Sequence, residues 1–194
     1  MEILNTTIEE IILQFRNFIS SLDKDSTEEF IRLILGARRI FLVGAGRSGL
    51  VARAFAMRLM HLGKKVFVIG ETITPPVEKD DLVIALTGSG KTKSVVSVAK
   101  ISKKLGAKVA LITANRRAPI RRYCDVVIKI KAKTKETRQD DYITRELSGE
   151  FRYTVLGTMF ELTAMIFLEG IISELMDRLA LTERDLKKRH ANLE

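Results

Sequence analysis

Two glycine-rich turns hold a group of side chains suited to phosphate chemistry. Gly44-Ala45-Gly46-Arg47-Ser48-Gly49 and Thr87-Gly88-Ser89-Gly90-Lys91-Thr92 each follow a short apolar run and open a helical stretch. Backbone N–H groups at a helix N-terminus, supplemented by hydroxyls, bind a phosphate dianion well. Thr87, Ser89 and Thr92 place three hydroxyls around one turn, and Ser48 adds a fourth from the other. Ser and Thr also cap helices, but a cap accounts for one hydroxyl and leaves the cluster unexplained. The expected substrate-binding set is Gly46, Arg47, Ser48, Thr87, Gly88, Ser89, Gly90 and Thr92. Arg47 would neutralise phosphate or polarise a substrate oxygen; its structural alternative is an ion pair with an acid such as Glu71.

Each turn also matches a nucleotide motif, and each match breaks down in detail. The first is a literal G-x-G-x-x-G, with Glu71 at the end of the next strand where a dinucleotide fold places its ribose-binding acid. Arg47 and Ser48 are polar where such a turn carries small or apolar residues, and nothing later resembles a hydride-transfer domain. The second approaches G-x-x-x-x-G-K-[ST], but Ala85 stands where the first glycine belongs. The fourth and fifth strands end without the acid that would hold Mg²⁺.

Three residues stand out for acid–base work. Glu161 is a lone carboxylate in the apolar run MFELTAMIF, a costly placement without a partner or a purpose. Burial raises a carboxyl's pKa toward the range useful to a base at neutral pH; a structural ion pair is the competing explanation. Glu169, with more polar neighbours downstream, is read as structural. The two histidines are His61, near a helix C-terminus whose dipole favours it, and His190, in a basic tail that would be disordered if free.

These residues need a scaffold, and the hydrophobic pattern supplies one. Residues 1–37 read as helical, with a break at Asp23 to Ser26 and a second short helix from Ser26 through Leu35. Strands follow at Arg39–Gly44, Lys65–Gly70, Leu82–Leu86, Lys108–Thr113 and Asp125–Ile130, with helices at 48–62 and 93–105 and a short one before the fifth strand. Short apolar runs alternating with helices imply a three-layer α/β fold, a doubly wound five-stranded parallel sheet. A flavodoxin-like order, with strands one and three side by side, would make both turns face one crevice. Residues 131–150 are polar and non-periodic and read as an exposed loop or lid. The stretch from Phe151 to Leu179 is one long helix, apolar nearly all round, which implies burial partly against another subunit. No second-domain boundary is visible, so residues 1–194 are expected to form one domain.

Composition narrows the function classes. With 46% hydrophobic and 29% charged residues the chain is globular rather than disordered. No apolar stretch approaches the eighteen residues of a membrane span, and the acidic N-terminus does not suit a signal peptide. A single cysteine, Cys124, excludes an internal disulfide framework; a cytoplasmic location is expected. The net charge of +9 favours anionic partners. Nucleic acid is not expected among them, because there is no Trp, there are only three Tyr, and the positive charges are spread along the chain.

The segments FLVGAGRSGLVARAFAMRLMHLG, GETITPPVEKDDLVIALTGSGKTKSV and LGTMFELTAMIFLE, with the KRHANLE terminus, resemble the sugar isomerase (SIS) domain family. The T-G-S-G-x-T loop is generic to that family, whereas AMRLMHLG followed by GETITPP is similar to its 6-phospho-3-hexuloisomerases. The resemblance implies that Ser48, Thr87, Ser89 and Thr92 fall on phosphate-binding positions. It implies interconversion of D-arabino-hex-3-ulose 6-phosphate and D-fructose 6-phosphate, a step of the ribulose monophosphate pathway, without metal or nucleotide cofactor. A cis-enediol intermediate would let one base, Glu161, serve both C2 and C3. Related isomerases use a late histidine, often from a neighbouring subunit, for ring opening; His190 is favoured over His61 for that role. A homotetramer built from dimers is expected, with a possible functional link to the hexulose-phosphate synthase that supplies the 3-ulose. SIS domains also serve as non-catalytic sugar-phosphate sensors, and isomerases of other sugar phosphates share the loop. The 131–150 segment is longer and more charged than the family leads one to expect.

Overall fold

A computed structural model describes residues 1–132 and 157–192. The expected loop over 131–150 and the first turns of the C-terminal helix therefore lie almost wholly outside the described residues. The N-terminal helices are α1 (Glu2–Ser20) and α2 (Lys24–Gly36). Helix α2 starts two residues before the expected Ser26 because Asp23 caps it, its carboxylate accepting from the Ser26 N–H (3.3 Å) and hydroxyl (2.9 Å).

Five strands follow: β1 (Ile40–Gly44), β2 (Val66–Val68), β3 (Leu82–Leu86), β4 (Lys108–Thr113) and β5 (Val126–Lys129). All neighbours pair in parallel in the order β2-β1-β3-β4-β5, so β1 and β3 are adjacent as expected. Between them lie α3 (Arg47–His61), after β1, and α4 (Lys93–Lys104), after β3. The connection from β4 to β5 is a 3₁₀ turn, Pro119–Tyr123, rather than a full helix. Strand β2 is shorter than the 65–70 run suggested. It lies at the sheet edge, half-buried along its length, and the chain turns away at Gly70.

Side-chain alternation divides the core. Ile40 and Leu42 of β1 join Leu82, Ile84, Leu86 and Ile112 on the face covered by α2, α3 and the C-terminal helix α5 (Thr158–Arg178). Phe41 and Val43 join Val83, Ala85, Val109 and Leu111 on the face covered by α4 and the 3₁₀ turn. Phe167 of α5 stacks on Phe30 of α2 and meets Phe18 of α1 edge-on, which holds the N-terminal helices against α5. Burying one such ring contributes about 1.5–3 kcal/mol. One side of α5 faces this core, and Met165 and Ile166 remain exposed on the other.

At the N-terminal ends of the strands Arg39 grips the fully buried Asp81 through two hydrogen bonds of 3.0 and 2.6 Å. That pair ties β1 to the start of β3, at the end of the sheet opposite the turns. The last helix, α6 (Glu183–Lys187), is capped by Thr182 and Asp185. The tail is therefore docked where a free one would be disordered: Arg189 Nη1 donates to the His61 carbonyl at 3.0 Å.

Candidate active site

Both glycine-rich turns open at the C-terminal ends of β1 and β3, on either side of a cavity of about 270 Å³. The first turn needs glycine at three places, at Gly46 because its φ is +57° and at the other two because the backbone comes too close for a side chain. A Cβ on Gly44 would stand 2.7 Å from the Ser48 carbonyl oxygen, and one on Gly49 would stand 2.9 Å from the Gly44 carbonyl oxygen. These close approaches at Gly44 and Gly49, with the positive φ of Gly46, account for the G-x-G-x-x-G pattern without any dinucleotide. They set the N-terminus of α3 over the end of β1, so that Gly46, Arg47 and Ser48 line the cavity. Glu71 does not line it; its carboxylate pairs with Arg53 at 2.7 Å.

The second turn supplies Thr87, Gly88, Ser89 and Thr92 to the opposite wall. Thr87 is buried, and its hydroxyl accepts from the Gly90 N–H (3.1 Å) and meets the Thr92 hydroxyl (3.2 Å). Ser89 Oγ accepts from the Lys91 N–H at 3.2 Å, which leaves its proton free to donate. Thr92 is the N-cap of α4 but makes no side-chain capping bond; its hydroxyl is turned toward Thr87 instead. Helix capping is thus not what these hydroxyls do. Gly90 is not among the residues lining the cavity. Its backbone has φ +67°, and a Cβ there would come within 2.2 Å of the Ala118 methyl.

Helix α5 closes the cavity with Gly157, Phe160 and Glu161. Glu161 sits in the first turn, its N–H bonded to the Gly157 carbonyl at 3.2 Å. Its side chain is 11% exposed, and Arg47 Nε lies 3.1 Å from Oε2. A carboxylate at a helix N-terminus with a guanidinium beside it is well accommodated despite its depth. The hydroxyl cluster, a cation and a carboxylate therefore meet in one cavity.

The histidines lie elsewhere. His61 ends α3, about 20 Å from Ser48 along a helix rising 1.5 Å per residue. It is buried there, with its ring stacked on His190 at a centroid distance of 5.0 Å. Burial, and then the charges of His190 and Arg58, hold its pKa below the ordinary histidine value. The structure brings the two histidines to each other and not to the cavity.

Sequence reasoning passed over Thr113, Gly157 and Phe160. A hydroxyl residue closing the buried strand run of β4, next to β3, was the available signal for Thr113. Gly157 and Phe160 gave none, because only the placement of α5 brings them to the cavity.

A parallel sheet in this order, with a hydroxyl-lined cavity at the carboxyl ends of its adjacent central strands, defines a doubly wound α/β domain with a site suited to an anion. The SIS domain family profile matches residues 33–140, and the chain belongs to that family. It is similar to a 3-hexulose-6-phosphate isomerase of Methanocaldococcus jannaschii, 37% identical over 100% of this chain and 98% of the other. A 3-hexulose-6-phosphate isomerase of Bacillus subtilis is 35% identical, covering 96% of this chain and 97% of its own length. Among solved structures, a Methanococcus jannaschii protein for which 3-hexulose-6-phosphate isomerase function was inferred superposes with a TM-score of 0.79. It is 38% identical, with 100% of both chains covered.

Proposed function

We propose that this protein interconverts D-arabino-hex-3-ulose 6-phosphate and D-fructose 6-phosphate. The observation that carries the proposal is the meeting of Glu161 with the hydroxyl turn in one cavity, each from a different element. The hydroxyls of Ser48, Thr87, Ser89 and Thr92 and the N-terminal amides of α3 and α4 hold the phosphate. Thus anchored, the sugar extends toward α5. The Glu161 carboxylate takes the C2 proton of the 3-ulose, giving a cis-enediol, and returns a proton to C3 as the carbonyl forms at C2. Arg47, 3.1 Å from Glu161, lies where it can stabilise the negative charge on the substrate oxygens.

Fructose 6-phosphate closes a ring through its 5-hydroxyl onto C2, and opening that ring requires an acid–base group. His61 is buried, whereas the exposed His190 can serve a cavity only from a neighbouring subunit, so this role belongs to His190 in a homo-oligomer, a tetramer built from dimers. The apolar residues that α1 leaves exposed, Ile8, Ile12 and Ile19, together with Ile166 of α5, support such an assembly. Among the described residues no helix is long and apolar enough to cross a membrane. A cytoplasmic location is part of the proposal and rests on the phosphorylated substrate.

The test is an NMR assay of purified protein with fructose 6-phosphate in deuterated water. Deuterium at C3 and appearance of the 3-ulose phosphate are expected. Absence of both at micromolar enzyme would refute isomerase activity.

A further inference from the structure

The turn between β3 and α4 must present N–H groups to an anion and keep its carbonyl oxygens away from it. One buried side chain outside the turn takes part in that choice beside a backbone N–H. The Gly88 carbonyl accepts two hydrogen bonds from the end of β4, from the Ala114 N–H at 3.1 Å and from the Thr113 hydroxyl at 3.1 Å. Thr113 is fully buried, and its oxygen also accepts from the Asn115 N–H at 3.2 Å. The hydroxyl is therefore committed to the backbone and does not itself reach the cavity.

The consequence follows from peptide geometry. In a trans peptide the carbonyl and the N–H point in opposite directions, and no peptide described here is cis. The carbonyl of the Gly88–Ser89 peptide points to β4, so the Ser89 N–H points away from it. Strand β3 lies between β4 and β1, so that direction leads toward the cavity wall formed by Gly46 and Ser48. Reversing this peptide would aim a carbonyl oxygen at the phosphate and withdraw the Ser89 N–H.

We propose that Thr113 is a positioning residue for phosphate binding, which fixes the Gly88–Ser89 peptide with its N–H toward the anion. It rests on the assignment of the Thr87–Thr92 turn as the phosphate site. Thr113 acts through Ser89 and takes no part in the proton transfer, so its loss weakens binding and leaves the chemical step alone.

The experiment compares Thr113→Val, which keeps the shape and removes the hydroxyl as donor to Gly88 and as acceptor from Asn115, with Thr113→Ser, which keeps the hydroxyl, and with Ser89→Ala. KM and kcat for fructose 6-phosphate, the inhibition constant of inorganic phosphate and the melting temperature are read for each. Thr113→Val is expected to raise KM and the phosphate inhibition constant together by about tenfold, the effect of one lost hydrogen bond to a buried group. Its kcat stays within about twofold of wild type, and Thr113→Ser restores both constants. Should the valine variant not fold, Thr113→Ala reports the same loss. A variant lacking the hydroxyl with wild-type KM and phosphate inhibition, or with a lowered melting temperature as its only change, overturns the proposal. If Ser89→Ala weakens phosphate while Thr113→Val does not, Thr113 is merely structural and the phosphate site stands. If Ser89→Ala and Thr113→Val both leave phosphate inhibition unchanged, the phosphate assignment falls and this proposal with it.

Discussion

Arg47 Nε stands 3.1 Å from Glu161 Oε2, joining the first residue of α3 to the first turn of α5 across the cavity. The arginine side chain is 51% exposed while the carboxylate is 11% exposed. A pair with one partner half in solvent is worth about 1 kcal/mol or less to stability. Its position in the cavity, rather than its contribution to folding, is what distinguishes it.

Glu161→Gln separates catalysis from structure on that basis. The amide keeps the size and hydrogen bonding but not the basicity, so kcat is expected to fall roughly 10²–10⁴-fold with KM little changed. The melting temperature should move by only a few degrees. A stable variant that still exchanges the C3 proton of fructose 6-phosphate at the wild-type rate would exclude Glu161 as the base. A large loss of melting temperature with near-normal kcat in the folded fraction would identify a purely structural ion pair.

Gly90→Ala tests how tightly the hydroxyl turn is built. Positive φ and a Cβ placed 2.2 Å from the Ala118 methyl mean that backbone must move. A destabilisation of about 2–4 kcal/mol is expected, from strain and overpacking together. Weakened phosphate binding should accompany it, because the Gly90 N–H is bonded to Thr87 Oγ1. Denaturant unfolding measures the first effect, and inhibition by inorganic phosphate the second. A variant as stable as wild type would show that the turn is looser than its contacts imply.

The His61–His190 stack predicts a pH dependence of stability with a definite sign. The folded state disfavours the protonated His61 ring, through burial first and then the charges of His190 and Arg58; Arg189 adds a further cation at the His61 carbonyl. Its folded pKa is therefore below the ordinary 6.5, and the unfolded chain takes up the proton first as pH falls. This contribution is complete above 6.5 and is lost as pH falls from there toward the lower folded-state value. The melting temperature should decline between about pH 7.5 and 5.5, and His61→Gln should flatten the decline. An unchanged slope in that variant would assign the dependence to other groups.

The assembly is tested by sedimentation at micromolar concentration. A species larger than the 21.9 kDa chain is expected, and Ile12→Glu on the exposed face of α1 should shift it toward monomer while leaving secondary structure intact. A wild-type monomer would refute the oligomer and remove any role for His190 at a neighbouring cavity.

By itself the sequence determined the layered α/β architecture, and it singled out most of the cavity's lining. Strands such as Leu82–Leu86 and helices such as 93–104 are marked by local apolar runs, turn glycines and periodicity, all of which act over a few residues. Ser48, Thr87, Ser89 and Thr92 were legible because their spacing within two short turns is itself the signal, and Glu161 because a carboxylate in an apolar helix is costly. The companion of Glu161 was not legible. Glu71 was the acid considered for Arg47, yet it pairs with Arg53, and the packing of α3 against α5 decides otherwise. Thr113 gained its role only because β4 lies next to β3, which puts its hydroxyl behind the Gly88 carbonyl. The two histidines, far apart in the chain, became a stacked pair only when the tail folded back onto the end of α3. Such pairings depend on distances between segments remote in sequence, and only the packed tertiary structure sets those distances.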